Sequence, residues 1–504
     1  MSAAADQAIR FVLDGEIVEV SGLPPTTTVL DYLREHAHRT GTKEGCAEGD
    51  CGACTVVLGE LDGADVDGCG AGTDAARVRY RAINSCIRFL PTLDGKELVT
   101  VESLADGERL HPVQQAMVDQ HASQCGFCTP GFVMSLFALY QNEALYRHNE
   151  KPGREKVVEA LAGNLCRCTG YRPIIDAGCT MDGYAPPARW SRADAQSAQH
   201  VEALRALRRT ESLNLPGFRA PRTVDELAAA FETAPDSLLL AGGTDIGLVV
   251  TKHLRELPRI IYIGEVAELQ RVDDNGVLRI GAGVSLTDGW QAIVAKFPAL
   301  AELAQRFASP PVRNSGTLVG NIANGSPIGD AMPALIALGA TVELRHGARM
   351  RTLPLEAFYL DYMKKDLAPG EFVVAVTVPP ARANQKLASY KLSKRIDQDI
   401  SAVCAAFALE LDGERVVGAR IAYGGMAAIP ARAPHAEAAL RGKLWNEAGI
   451  ERAMAALAGD FQPLTDMRAS AAYRLQGAQN LLRRFFLEHA AKQPLRTFDA
   501  EVSA

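Results

Sequence analysis

The chain is 504 residues long, 47% hydrophobic and 22% charged, which excludes a disordered polymer and indicates folded globular protein. At about 150 residues per domain it holds roughly three or four domains, large enough to build cores without disulfide staples. Fifty-three basic against sixty acidic residues give a net charge of −7, which excludes a generally basic nucleic-acid surface.

In chain order, IRFVLDGEIVEV reads as two alternating strands joined by Asp14-Gly15, a hairpin signature. TTTVLDYLREHA follows as a short helix, with Thr26 to Thr28 as candidate N-caps and Val29, Leu30 and Leu33 on one face. A Cys-rich loop comes next, and then a Gly- and Asp-rich stretch around Cys69 that reads as an exposed loop insertion, about 58–78. HPVQQAMVDQHA, GFVMSLFALYQNE and REKVVEALAG carry apolar residues at helical spacing, so residues 99–185 read as a small helical bundle. Residues 186–213 have the Pro, Ala, Ser and charge content of a linker. From 214 to 384 short apolar runs alternate with helices, and 385–504 mixes longer strands with helices.

Eight of the eleven cysteines fall in two groups. GTKEGCAEGDCGACTVV places Cys46, Cys51 and Cys54 in a C-x4-C-x2-C run, and Cys86 is a fourth thiol after a gap. That is the spacing of a plant-type [2Fe-2S] ferredoxin. Gly45, Gly49 and Gly52 let the backbone approach closely and turn amides toward a cluster. A structural zinc site is the alternative, although zinc loops are usually built from paired C-x2–4-C knuckles. QCGFCTPG and GNLCRCTGYRPI supply Cys125, Cys128, Cys166 and Cys168. Alone this second set is less specific, and zinc stays open there too. A C-x-C pair is expected to give one tetrahedral ion a cramped bite, which favours two irons.

Taken together, the two groups resemble the paired [2Fe-2S] domains of the molybdenum hydroxylases, the xanthine dehydrogenase and aldehyde oxidase family. The resemblance implies a multidomain α+β chain: a β-grasp ferredoxin-like [2Fe-2S] domain at 1–98 and a helical-bundle [2Fe-2S] domain at 99–185. After the 186–213 linker it implies a vanillyl-alcohol-oxidase-like FAD domain at 214–384 and a C-terminal α+β CO-dehydrogenase-flavoprotein-like domain at 385–504. Gln124 matches the family glutamine that contacts the pterin of the molybdenum cofactor; a helix-end polar residue is the alternative.

SLLLAGGTDIGLVV is a strand running into a glycine turn, a local geometry that can expose N–H groups to a pyrophosphate. It is not a G-x-G-x-x-G fingerprint. By resemblance, Leu239, Leu240, Ala241, Gly242, Gly243, Thr244, Asp245 and Ile246 surround the FAD pyrophosphate. Phe307 stacks near the flavin; Thr317, Leu318, Val319, Gly320 and Asn321, with Asp330, contact the ribityl or adenosine part. Val373 stands where relatives have a leucine beside the isoalloxazine, and Lys391 matches a lysine contacting FAD. For Phe307, Val373 and Lys391, core packing or a solvated charge is the alternative. RIDQDISAV lies where relatives have a loop gating NAD access.

The resemblance further implies that the molybdenum-binding part resides on a separate large subunit in an α2β2 heterotetramer, because this chain stops at Ala504. No residue of the chain itself is then the hydroxylation catalyst. Electrons would pass from that partner through the Cys125/Cys128/Cys166/Cys168 cluster and then the Cys46/Cys51/Cys54/Cys86 cluster to FAD and NAD. The overall reaction would be oxidation of hypoxanthine and xanthine to urate. Another molybdenum hydroxylase, acting on aldehydes or N-heterocycles, would share this relay, and a zinc-bound scaffold without redox chemistry is the reading from a different class. The opening MSAAADQAIRFVLDG shows no signal-peptide pattern, and Ala331 to Val342 is too short to cross a bilayer. A cytoplasmic protein with no membrane or nucleic-acid partner is expected.

Overall fold

The computed structural model describes residues 7–61, 78–144, 152–191 and 198–491. Most of the 58–78 insertion, including Cys69, therefore lies outside the described residues. The chain forms two compact units: Met1–Val266 with Ala308–Gly316, and Ala267–Phe307 with Thr317–Ala504.

The first unit opens with the expected hairpin, Ile9–Leu13 paired antiparallel with Glu16–Val20. Asp14 and Gly15 both have positive φ, 58° and 82°, as a two-residue turn that follows the strands' twist requires. Of the three threonines, Thr28 is the cap: its hydroxyl accepts from Asp31 N–H at 3.0 Å. The helical turn Val29–Asp31 continues into a wider turn, Tyr32–His36. The strands order as Glu16–Val20, Ile9–Leu13, Glu97–Val99, Thr55–Leu61 and Val78–Asn84. Ile9–Leu13 and Glu97–Val99 run parallel, so the first hairpin forms one edge of the five-stranded sheet. Phe11, Val29, Leu33, Val56, Leu90 and Leu98 fill the face beneath it, each side chain contributing about 1.5–3 kcal/mol on leaving water.

The helical part follows. His111 caps Pro112–Asp119 by accepting from Val113 N–H, while Gln114 Oε1 accepts from His111 N–H, a reciprocal capping box. Thr129–Leu139 buries Gly131 through Ala138 without a break, the pattern of a helix enclosed on all sides. Arg154–Leu161 and Arg172–Thr180 pack around it; the latter was not among the three helices expected. Phe137, Tyr80 and Trp190 meet edge-to-face in this core at 4.8–6.2 Å. Residues 186–213 differ from a linker: Ala198–Leu207 is a helix whose Val201, Leu204 and Leu207 join the same core. Last in this unit is a sheet ordered Leu213–Leu215, Phe218–Ala220, Ile260–Tyr262 and Leu238–Leu240.

Among its described residues the second unit holds two larger sheets and a two-stranded one, Tyr359–Asp361 with Lys364–Lys365. One larger sheet orders Val272–Asp274, Leu278–Gly281, Phe372–Val378, Thr341–His346 and Arg349–Pro354, with every described pairing antiparallel. The other, Gln385–Leu392, Val403–Asp412, Arg415–Gly424 and Ala431–Arg432, is covered by Pro434–Leu440, Glu447–Asp460 and Ala471–Ala491. Phe407, Tyr423, Phe461 and Phe485 are among the buried rings of that layer. Among the described residues no helix is long and apolar enough to cross a membrane.

Candidate metal centres and flavin site

The structure brings the first four cysteines together as two pairs. Cys54, just before the Thr55–Leu61 strand, and Cys86, just after Val78–Asn84, are both buried, with their sulfurs 3.3 Å apart. Cys46 and Cys51 lie half-buried on the preceding loop. The Cys46 sulfur accepts N–H bonds from Asp50 at 3.4 Å and Cys51 at 3.3 Å. Gly49 and Gly52 take positive φ, 78° and 72°, and it is this winding that turns the loop's amides inward. The Cys51 thiol also donates to Cys46 and, against the effect of burial, holds it down to about 5, while Cys51 itself is raised. Within the deeper pair the shared hydrogen bond lowers Cys54 and raises Cys86. Each pair therefore already stabilises one thiolate, the form that binds metal.

The second group is more open. Cys125 and Cys168 are exposed, and Cys128 and Cys166 are half-buried. Cys168 Sγ lies 3.7 Å from Cys125 Sγ and 3.8 Å from Cys166 Sγ. Sulfurs bound at about 2.3 Å to one tetrahedral ion stand roughly 3.8 Å apart, so the C-x-C bite is a full tetrahedral edge. The expectation of a cramped bite is thus corrected, and spacing alone does not separate iron from zinc here. Burial works to raise Cys166, but the Thr169 hydroxyl and N–H bring it to about 7, at 3.1 and 3.4 Å. Burial raises Cys128 to about 12, and its hydrogen bond with Cys166 adds to this. Gln124 is exposed beside Cys125.

Sequence reasoning missed what joins the two groups. Leu165 N–H donates to Cys51 C=O at 3.0 Å, and the buried Asn164 side chain reaches Gly52 and Thr55. Asn164 stands two residues before Cys166 in GNLCRC, and that adjacency was the available signal.

The residues expected at the flavin fall in both units. In the first, Leu238–Leu240 leads into Gly242 and Gly243, the latter at φ 74°. A methyl group at Gly242 would lie 1.8 Å from Ser315 O, and one at Gly247 would lie 2.6 Å from Ile87 O, next to Cys86. Only glycine fits either approach. In the second unit, Thr317 caps Leu318–Asn324 by accepting from Gly320 N–H at 2.9 Å. The Asn321 Oδ1 atom is buried without a partner among the described residues, as a side chain aimed at an absent polar ligand would be. Lys391 Nζ and Asp330 Oδ2 form a buried pair at 2.6 Å, and Ser401 donates to Asp330 Oδ1. Phe307 is buried against Trp290 at 5.7 Å, and Val373 is buried in the Phe372–Val378 strand.

Four family descriptions match consecutive parts of the chain. They are "2Fe-2S iron-sulfur cluster binding domain" at 11–89 and "[2Fe-2S] binding domain" at 100–179. "FAD binding domain in molybdopterin dehydrogenase" matches 213–381, and "CO dehydrogenase flavoprotein C-terminal domain" matches 388–489. A solved carbon monoxide dehydrogenase chain from Hydrogenophaga pseudoflava is 31% identical, with a TM-score of 0.51, and the match covers 55% of this chain and 97% of that one. The chain belongs to the molybdenum hydroxylase family.

Within that family, the xanthine dehydrogenase of Emericella nidulans is 32% identical over 99% of this chain and 40% of its own length. The quinoline 2-oxidoreductase structure from Pseudomonas putida 86 is 26% identical with a TM-score of 0.51, covering 55% of this chain and 96% of that one. This chain spans about two fifths of the length of the curated relatives it matches. As a molybdenum hydroxylase component it carries two [2Fe-2S] domains, an FAD-binding domain and the C-terminal flavoprotein domain. The donor chemistry suits those groups, with close thiol contacts at Cys54/Cys86, Cys125/Cys168 and Cys166/Cys168 and an unpartnered buried amide oxygen at Asn321, although among the described residues no group of three or more ligands is gathered to hold a metal ion.

Proposed function

We propose that this chain is the electron-transfer subunit of a xanthine dehydrogenase, working with a molybdopterin-binding partner in an α2β2 assembly and delivering electrons to NAD. Its four-way division at about 98, 185 and 384, with ligands Cys46, Cys51, Cys54, Cys86 and Cys125, Cys128, Cys166, Cys168, is part of that reading. Clusters carry single electrons, and a flavin converts between one- and two-electron chemistry.

The observation that carries the reading is the order in which the protein sets its sites. Gln124, Cys125 and Cys168 are exposed, available to a partner. Behind them the Leu165–Cys51 hydrogen bond joins the second cysteine loop to the first. Beyond Cys86, the Ile87 backbone abuts Gly243 and Gly247 of the turn proposed for the FAD pyrophosphate. Exposed thiols, buried thiols and flavin turn thus follow one another within a single unit. The 32% identity to a xanthine dehydrogenase supports the substrate. The likeness to a quinoline oxidoreductase favours an N-heterocycle dehydrogenase as the second reading.

Substrate assays on the co-purified complex decide between them. Xanthine-dependent NAD reduction is expected; turnover of quinoline or an aldehyde with none of xanthine would overturn the substrate assignment.

A further inference from the structure

The loops bearing Cys51 and Cys166 touch through backbone, and one side chain governs that contact. Asn164 is 4% exposed, and its carboxamide is shared between both cysteine regions. Its Nδ2 donates to Gly52 O at 3.1 Å and Thr55 Oγ1 at 3.3 Å, while its Oδ1 accepts from Ser135 Oγ at 2.7 Å. Gly52 follows Cys51, Thr55 follows Cys54, and Ser135 sits on the helix that begins after Cys128.

Two glycines permit the approach. A methyl group at Gly52 would lie 2.1 Å from Gly163 O, and one at Gly131 would lie 2.1 Å from Gly52 O. The backbones are therefore in van der Waals contact, and Leu165 N–H reaches Cys51 C=O at 3.0 Å. Loops alone would not hold so close a register, since small openings cost a solvent-facing loop little. A buried carboxamide bonded on both sides resists opening, because any separation leaves its donors unpaired away from water.

We propose that Asn164 is a positioning residue for electron transfer between the two cysteine sites, acting by holding the Leu165 N–H on the Cys51 carbonyl. This rests on the functional reading above. The step it serves moves one electron from the reduced Cys125/Cys128/Cys166/Cys168 site to the oxidised Cys46/Cys51/Cys54/Cys86 site, with no bond made or broken and no proton moved. The donor side of the carboxamide matters most, since Nδ2 spans the seam while Oδ1 contacts only the helix behind Cys166.

The test uses the full chain with its cofactors, reduced with dithionite. The magnetic splitting between the two reduced clusters is read by low-temperature EPR, and the inter-cluster rate by pulse radiolysis. Asn164→Ala and Asn164→Asp, which both lose the N–H donors, should keep the wild-type iron content. They should weaken the splitting and slow the transfer about tenfold, the low end of effects seen for groups that orient metal ligands. Ser135→Ala, which spares those donors, should behave as wild type. Iron-replete Asn164 variants with unchanged splitting and rate would overturn the proposal. Should Asn164→Ala fail to assemble, Asn164→Asp and Thr55→Val carry the same test, with Thr55→Val giving a smaller effect in the same direction. A wild-type chain with no reducible clusters would overturn the functional reading itself, whereas coupling that is normal in the variants overturns only this inference.

Discussion

Two residues show how local constraint and burial act at the scale of a single side chain. Gly52 has φ 72°, and a methyl group there would lie 2.1 Å from Gly163 O and 2.8 Å from Asn164 Cα. The left-handed backbone alone costs a residue with a Cβ about 1–2 kcal/mol, and the collision with backbone adds to it. Gly52→Ala should therefore destabilise the chain by more than that amount and lower its iron content. Denaturant unfolding and metal analysis check this; a variant with wild-type stability and iron would contradict it. His111 is the second case. It is wholly buried between Phe137 and Tyr140, and burial pushes it down to about 3. The unfolded chain takes up that proton near pH 6.5, whereas the folded chain stays neutral until about pH 3. Stability is thus fully present above about 6.5 and is lost as pH falls toward 3. His111→Asn keeps a capping acceptor for Val113 N–H but does not titrate in this range. It should lose less stability than wild type between about pH 7 and pH 4, read from urea midpoints; equal losses would argue that His111 is not the source.

At the scale of elements, Ala198–Leu207 makes the sharpest prediction. Leu204 is 1% exposed in the core shared with Trp190 and Phe137, so Leu204→Ala should cost about 2–5 kcal/mol. A melting temperature unchanged by that substitution would restore the linker reading. The helix was hidden because Pro, Ser and charge dominate the stretch just before it, although Val201, Leu204 and Leu207 stand at helical spacing and face inward. Arg172–Thr180 was hidden for a different reason: it starts directly after a cysteine loop, with Tyr171 at φ 67° and Pro173 in its first turn. The elements that were legible had local chemistry to announce them. Asp14-Gly15 specifies its turn, Thr28 its cap, and the unbroken apolar face of Thr129–Leu139 its central place. Cysteine spacing likewise announced the two thiol groups. The Asn164–Gly52 bond was not legible, because it joins residues 112 apart and depends on how two loops dock.

At the scale of the whole molecule, the proposed function is a relay that begins at exposed thiols and ends at the turn proposed for the flavin. That relay requires the eight thiols to hold iron rather than zinc, and the 3.7–3.8 Å inter-sulfur distances of the second group suit either metal. Iron, zinc and flavin content of the purified full-length chain is the most direct measurement. About four irons per chain are expected from two [2Fe-2S] sites with four thiolate ligands each, with one FAD, little zinc and a brown-yellow colour. A colourless protein with about one zinc per four thiolates and no iron would contradict the relay.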